Sequence, residues 1–443
     1  MNRFFSTASS AMIRACEEGV SSEPEPQGVS VSQSRNGAPP QRPLAMIVDI
    51  TGTTPRYDAA LSKALIDYPE VLFRSCPFFI DPDAPDSPMR KDLLRTAGWL
   101  KERWPGVVRR SWLWRILQLH GYLAGCRDIM REIRRKRIPV LHFQWCKIPV
   151  FDVWLMRRAQ KKGIRVVYTV HNALPHGDRR ESVRRSYQKL YGQADALVVL
   201  SRFVGQQVID WVDPSLEPKI HVIEHGILEL DCPLPDRQKA RAELGLERDA
   251  QVAVFIGTIR SYKGISDLID AIGIACRTQP KLRLIIAGSP QEAFGPYQDQ
   301  IERLGLTPFI QAYPKYVSEQ FKATLYAAAD IAILPHRDPS QSAMGLEALA
   351  AGKPIIVTRG GGLVELVDEG VNGYSVPIKD PAKLAEALDR FFSLSSVAQE
   401  AMAAASVALG KERFAWPVIA RKHLKLYLRL SERTQTQPAM TRV

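Results

Sequence analysis

The 443-residue sequence predicts an α/β protein built from two doubly wound, parallel-sheet domains. Three observations predict it. Short continuous apolar runs bounded by Gly or Pro recur along the chain, as in strands covered on both faces. Segments with helical spacing separate them, and strand–helix alternation builds a parallel sheet. The length exceeds one domain of roughly 100–200 residues, and a content of 45% apolar residues is enough to fill two cores.

Residues 1–42, rich in Ser, Pro, Gln and Gly, read as a disordered tail. LAMIVDI (44–50) opens a first domain expected over 43–228, and VLHFQW (140–145), IRVVYTVH (164–171) and ALVVLS (196–201) continue it. The polar, Pro-containing stretch Leu228–Lys239 marks the break. A second domain, expected over 229–410, carries QVAVFIG (251–257), LRLIIAG (282–288), IAILP (331–335) and PIIVT (354–358). Helical patterns such as ISDLIDAIGIACRTQ and PAKLAEALDRFFSL alternate with these runs. An amphipathic basic helix, FAWPVIARKHLKLYLR, closes the fold within 411–430, and 431–443 read as a flexible tail.

Composition narrows the function classes. The six cysteines form no C-x-x-C pair, which argues against a metal cluster or disulfide framework and suits a reducing compartment. The first twenty residues hold no continuous apolar region of the signal-peptide kind, and no apolar run approaches the ~18 residues that span a bilayer. The net charge is +13 and is concentrated: Lys101–Arg185 holds 21 Lys and Arg against 6 Asp and Glu. Such a field attracts phospholipid, nucleic acid or phosphorylated substrates.

In open parallel sheets, ligands sit beyond the carboxyl ends of the strands. Five loops there carry chemistry. Thr51-Gly52-Thr53-Thr54-Pro55 offers either a close backbone approach to a ligand or an ordinary turn. His171, straight after IRVVYTV, suits a sugar hydroxyl, a phosphate or proton shuttling, and equally a structural role. Gly257–Gly264 presents Arg260 and Lys263, a fork and a point charge suited to a pyrophosphate, ahead of a helix start; a solvated basic loop is the alternative. Glu347 can accept from a ribose diol or simply favour a helix's first turn. Gly360-Gly361-Gly362 makes a phosphate cradle or a flexible turn.

Order and spacing unite these segments. HVIEHGI, VFIGTIRSYKGISDLIDAI, LRLIIAG, YTVHNALPHG and the run from ADIAILPHRDPSQSAMGLEALAAGKPIIVT to GVNGYSVP together resemble the retaining GT-B glycosyltransferases, specifically glycosyltransferase family 4. The resemblance covers Leu44 to Arg429. It implies two Rossmann-like domains facing across a cleft, with the last helix crossing back to the first. It also implies roles: Arg260 and Lys263 on the donor diphosphate, Glu347 on the ribose hydroxyls, Gly361 and Gly362 with the following helix start as the diphosphate loop, His171 near the transferred sugar, and Gly52 in the first domain's glycine loop.

Two positions depart from the family pattern. Pro339 stands where the first glutamate of Glu-x7-Glu is expected, leaving Ser342 or Gln341 to hold the sugar's hydroxyls. Thr258 holds the usual arginine position, with Arg260 two residues on. Both departures resemble an exopolysaccharide-type branch. The implied reaction moves a sugar from a UDP- or GDP-sugar to a lipid-linked or saccharide hydroxyl, with retention. No metal and no other cofactor is expected, since the enzymes it resembles stabilise the leaving diphosphate with Arg, Lys and a helix dipole rather than a bound metal. A sugar-nucleotide epimerase shares the fold but needs no acceptor. A nucleic-acid binder would show basic residues interleaved with exposed aromatics on a known module; none is evident, and no nucleic-acid partner is expected.

Residues 101–137 combine eleven Lys and Arg with Trp104, Trp112, Trp114 and leucines. They read either as an interfacial segment lying on an anionic membrane or as a core helix with solvated charges. The first reading places the protein in the cytoplasm, peripheral at the inner face of the membrane.

Overall fold

The computed structural model describes residues 44–49, 54–65, 68, 71–75, 112–146, 149–175, 180–338 and 343–435. The expected tail 1–42, Gly52, Pro339, Gln341, Ser342 and residues 101–111 lie outside the described residues.

The first sheet runs β1 (Ala45–Asp49), β2 (Val71–Ser75), β3 (Val140–Trp145), β4 (Arg165–Val170), β5 (Ala196–Val199) and β6 (Ile220–Val222). All pairings are parallel, in the order β2-β1-β3-β4-β5-β6. Side chains alternate across it as the pleat requires. Met46 and Val48 enter one core, with Tyr122, Ile129, Leu155, Tyr191 and Val204. These come from α2 (Trp112–Lys136), α3 (Pro149–Gln160), α4 (Glu181–Gln193) and α5 (Arg202–Trp211). Ala45 and Ile47 enter the opposite core with Tyr57 and Leu61 of α1 (Pro55–Ala64).

The second sheet runs β7 (Gln251–Ile256), β8 (Leu282–Ala287), β9 (Ile310–Tyr313), β10 (Ile331–Leu334), β11 (Ile355–Thr358) and β12 (Gly373–Val376), in the order β12-β11-β10-β7-β8-β9. Ala253 and Phe255 face α7 (Ile265–Ala275), α8 (Gly295–Arg303) and α11 (Pro381–Phe392). Val252 and Val254 face α6 (Arg237–Glu243), α9 (Glu319–Ala328) and α10 (Ala343–Ala350). Strand order reverses between β7 and β10, so the crevice for a ligand opens at their carboxyl ends.

After α12 (Ser396–Arg413), α13 (Trp416–Gln435) crosses back and completes the first domain. Its Ile419 and Tyr427 are fully buried against Val140 and Val198, each such side chain contributing about 1.5–3 kcal/mol. The Tyr427 hydroxyl lies 2.6 Å from His142 Nδ1. The two chain crossings between domains are tied together: Ile227 N–H donates to Phe414 O at 2.7 Å, and Trp416 Nε1 donates to Ile227 O at 2.7 Å. The closing helix expected within 411–430 thus starts at Trp416, because α12 runs to Arg413 first. It continues to Gln435, into residues expected in the tail.

The described part of 101–137 is α2. Tyr122, Cys126, Ile129, Met130 and Ile133 are buried in the first core, and Arg127, Arg131, Arg134 and Arg135 are exposed. From Tyr122 onward this is a core helix with cations in solvent. Among the described residues no helix is long and apolar enough to cross a membrane.

Candidate active site

The loop after β7 is fixed by close packing. Gly264, at φ 70°, closes the short 3-10 turn Ser261–Lys263 and opens α7. A Cβ there would lie 1.8 Å from Pro335 O, in the loop after β10. The two loops of the switch point are therefore in backbone contact, which only glycine allows. Arg337 N–H donates to Tyr262 O at 2.6 Å, and the Arg337 guanidinium pairs with Asp267 of α7 at 2.7 and 2.5 Å.

This packing buries Lys263. Its Nζ lies 3.3 Å from His336 Nε2. Burial, then the Arg260 charge, lowers its pKa to about 8. Burial and the adjacent Lys263 push His336 well below the usual histidine range. An ammonium can only donate, so Nε2 accepts and the neutral ring carries its proton on Nδ1. Arg260 is exposed and donates to Gln291 Oε1 at 3.2 Å. The pair expected on the diphosphate is thus one buried and one solvated cation on one turn, at the N-terminus of α7.

Glu347, on α10, is 2% exposed. Its Oε2 accepts from Lys322 Nζ at 2.8 Å, and Lys322 also pairs with Glu319 at 3.0 Å. No hydrogen bond of normal geometry reaches its Oε1, although the buried Tyr326 hydroxyl also lies against this carboxylate. One oxygen is anchored and the other keeps its acceptor capacity. Gly361 and Gly362 are buried, but the helix expected to follow them is a six-residue 3-10 turn, Gly361–Leu366, that starts on the glycines themselves. Glu365 at its end accepts from the N–H groups of Arg202 and Phe203, at 3.1 and 2.9 Å. That carboxylate caps α5 of the first domain.

In the first domain His171 follows β4 and stacks on Trp145 of β3, with ring centroids 4.6 Å apart and planes 6° apart. Trp145 Nε1 donates to Thr54 Oγ1 at 3.0 Å. Tyr57 meets His171 edge-on at 5.4 Å and also contacts His225 and Trp416. Burial, and secondarily His225, lower the His171 pKa to about 3, against a hydrogen bond to the Gln144 backbone. Its Nε2 is buried without a partner among the described residues. This ring is neutral at physiological pH and offers one free nitrogen. Nearby Asp58 is held well above the usual carboxylate range by burial and by the Asp49 carboxylate.

Arg260 and Lys263 thus share one turn and Glu347 lies one strand away, while the described contacts of His171 are with the first domain, His225 and Gln144. Sequence reasoning missed His336 and Lys322. The first had a signal, since it follows the carboxyl end of β10. A cavity of about 690 Å³ lies elsewhere, at the hinge among Ala60, Lys63, Ile227, Leu349, Lys411 and Trp416.

Residues 236–406 match the family described as Glycosyl transferases group 1, and residues 79–227 match Glycosyltransferase Family 4. A D-inositol 3-phosphate glycosyltransferase of Corynebacterium urealyticum is 30% identical over 304 residues, 65% of this chain and 70% of that protein. One from Mycobacterium leprae is 30% identical over 278 residues, 59% of this chain but only 63% of the relative's length. Among solved structures, Anabaena HepE in complex with UDP aligns with a TM-score of 0.64 at 18% identity, over 87% of this chain and 99% of that one. Sucrose-phosphate synthase of Thermosynechococcus elongatus aligns at 0.63 and 18%, over 88% and 99%. At such identities the likeness is one of fold: two Rossmann-like, parallel-sheet domains in the GT-B arrangement.

Proposed function

This chain belongs to the group 1 and family 4 glycosyltransferases, and we propose that it transfers a hexose from a UDP- or GDP-sugar to a hydroxyl acceptor with retention of configuration. The observation that carries the reading is Lys263, buried at the β7/β10 switch point beside neutral His336 and the N-terminus of α7. A diphosphate there meets a desolvated ammonium and a helix dipole together. These groups and Arg260 stabilise the leaving diphosphate without a metal, and stabilisation of that kind is usually the largest catalytic term.

Glu347 takes the ribose hydroxyls on Oε1, Lys322 holding the other oxygen. Gly361 and Gly362 line the diphosphate, with Gly52 and Ser342 completing the donor's surroundings. His171 hydrogen-bonds the transferred sugar through Nε2. A pKa of about 3 suits that role better than general-base work, which asks for a value near ambient pH. The UDP and UDP-glucose complexes of Anabaena HepE support a uridine donor. The names of the curated relatives point to a phosphorylated polyol acceptor. The basic field of the first domain also suits a lipid-linked acceptor in exopolysaccharide assembly, taken at the cytoplasmic face of the membrane, with residues 101–137 against the anionic surface.

The test is a thermal-shift screen with UDP, GDP, ADP and their sugar conjugates, followed by transfer assays of Lys263→Ala and Glu347→Ala. A ligand bound only by the native state raises its apparent stability. Both variants are expected to fold, lose the shift and lose most turnover. Near-wild-type rates in either would remove the donor-site assignment. Loss of transfer in EDTA, restored by magnesium, would contradict metal independence. Conversion of donor without acceptor to an epimeric sugar nucleotide would make the protein an epimerase.

A further inference from the structure

We infer that the exposed apolar turns of α2 and α3 form one docking surface for an anionic lipid bilayer, with Trp154 of α3 as its anchor. The inference rests on the membrane reading above and extends it to a helix outside 101–137.

On α3, Val150 is 78% exposed and Trp154 52%, with Phe151 exposed beside them. The same side of the helix continues with Arg158, and Lys161 and Lys162 follow in the turn just after α3, all exposed. Positions 150, 154 and 158 follow helical i, i+4, i+8 spacing, so they form one stripe on α3. On α2 the exposed positions Leu119, Leu123, Arg127, Arg131 and Arg135 repeat every four residues, an inclined ridge that turns about 40° around the helix at each step. Each stripe is apolar in its N-terminal part and cationic in its C-terminal part. The two helices are neighbours, since the Tyr122 hydroxyl on α2 donates to the Asp152 carboxylate on α3.

Topology orients the stripes. Both helices lead back to the amino end of a parallel strand, so both run against the strands. Their apolar turns lie toward the carboxyl edge of the sheet, where His171 sits, and their cations toward the opposite edge. Exposed apolar turns gathered at one edge of two neighbouring helices are the kind of surface that marks a partner. Tryptophan favours the boundary between hydrocarbon and headgroups, and Lys and Arg beside it attract anionic lipid. The Arg158 guanidinium lies over the Trp154 ring at 5.4 Å, which keeps a cation on the rim of the apolar turn. The acidic groups of these helices are spent internally: Asp152 on Tyr122, Glu132 on Arg74 and Lys136, Asp128 beside Arg131. The exposed charge is of one sign, which matches a lipid surface. Seated this way, the protein would hold the carboxyl edge of its first sheet against the headgroups. A lipid-linked hydroxyl could then reach it while its tail stays in the bilayer.

The test is co-sedimentation of the full chain with vesicles of equal parts phosphatidylglycerol and phosphatidylcholine, against phosphatidylcholine alone, at low and high salt. The wild type is expected to bind the anionic vesicles at low salt and to lose them at high salt through screening. Val150→Glu/Trp154→Glu is expected to keep its melting midpoint and bind about tenfold more weakly or less, with Trp154→Phe retaining binding. Wild-type binding by the Glu variant would overturn the docking surface and leave the membrane reading standing. No wild-type binding to anionic vesicles, or equal binding to neutral ones, would end both. A dimer in light scattering that the Glu variant abolishes would assign the patch to a second copy and overturn the inference.

Discussion

Replacing Lys322 by methionine removes the cation 2.8 Å from a carboxylate that is 2% exposed, while keeping most of the side chain's volume. Breaking a buried pair by taking away one partner costs about 3–5 kcal/mol, because the other charge stays desolvated. Glu319, the second partner of Lys322, is 25% exposed and turns back to water at little cost, so the lower end applies. With about 2–4 °C per kcal/mol for a domain of this size, the second domain should melt about 6–12 °C lower. Adding Glu347→Leu should restore most of that loss, since an apolar replacement of a buried pair is often neutral. The assay is calorimetry of the wild type, both single variants and the double variant, each with and without UDP. Both Glu347-containing proteins should respond to UDP, the Lys322→Met variant more weakly, and the double variant not at all. A single-variant loss below about 1 kcal/mol, or a double variant no more stable than Lys322→Met, would refute the reasoning.

Lys263 loses its proton near pH 8, while burial and the neighbouring Lys263 hold His336 well below the usual histidine range. The donor KM should be flat below about pH 7.5 and climb up to tenfold per unit above 8; a flat profile to pH 10 would contradict this. His142, His171, His225, His336 and His423 are buried, with pKa values pushed below the usual range by burial. The unfolded chain therefore binds more protons below pH ~6.5, and stability should fall as pH drops, by up to ~1.4 kcal/mol per unit per histidine. Asp58, whose pKa burial and the Asp49 carboxylate raise well above the usual carboxylate range, acts in the opposite sense and offsets part of the contribution of these five; urea midpoints at pH 7.5 and 5.5 measure the balance. Gly264→Ala should destabilise by more than about 3 kcal/mol, given φ 70° and Pro335 O at 1.8 Å. Gly245→Ala, at φ 65° with nothing within 4 Å, should cost only about 1–2 kcal/mol; equal losses in thermal melts would show that the Pro335 contact is unimportant.

Eight strands of the two sheets were legible as continuous apolar runs, and the four that were not are instructive. They are β2, β6, β9 and β12, the outer strand on each side of each sheet. An edge strand has a neighbour on one side only and tolerates polar residues, as in the intermediate and exposed residues of Ile220–Val222, and Arg74, His221, Gln311 and Ser375 interrupt the apolar runs of these four strands. The Arg260–Lys263 turn was legible because its spacing is local. The Lys322–Glu347 pair was not: it joins α9 to α10 across 25 residues, and nothing in either helix alone announces the other. Gly361–Leu366 read as a helix start from its glycines, but the chain leaves the 3-10 turn at Val367 in extended form. Asn372 holds the segment that follows, through Asp368 N at 2.7 Å and Leu366 O at 2.9 Å.

The return of α13 sets an order on synthesis. The face of the first sheet made by Ile47, Val140 and Val198 is covered by Ile419, Leu424 and Tyr427, which leave the ribosome some two hundred residues after β6. At about 5–20 residues per second, that interval is roughly 10–40 s. The whole second domain emerges during it, so the domain encoded first is the one finished last. A nascent chain stalled before Trp416 would carry one sheet with an uncovered apolar face. Such chains should be chaperone clients until the last helix emerges.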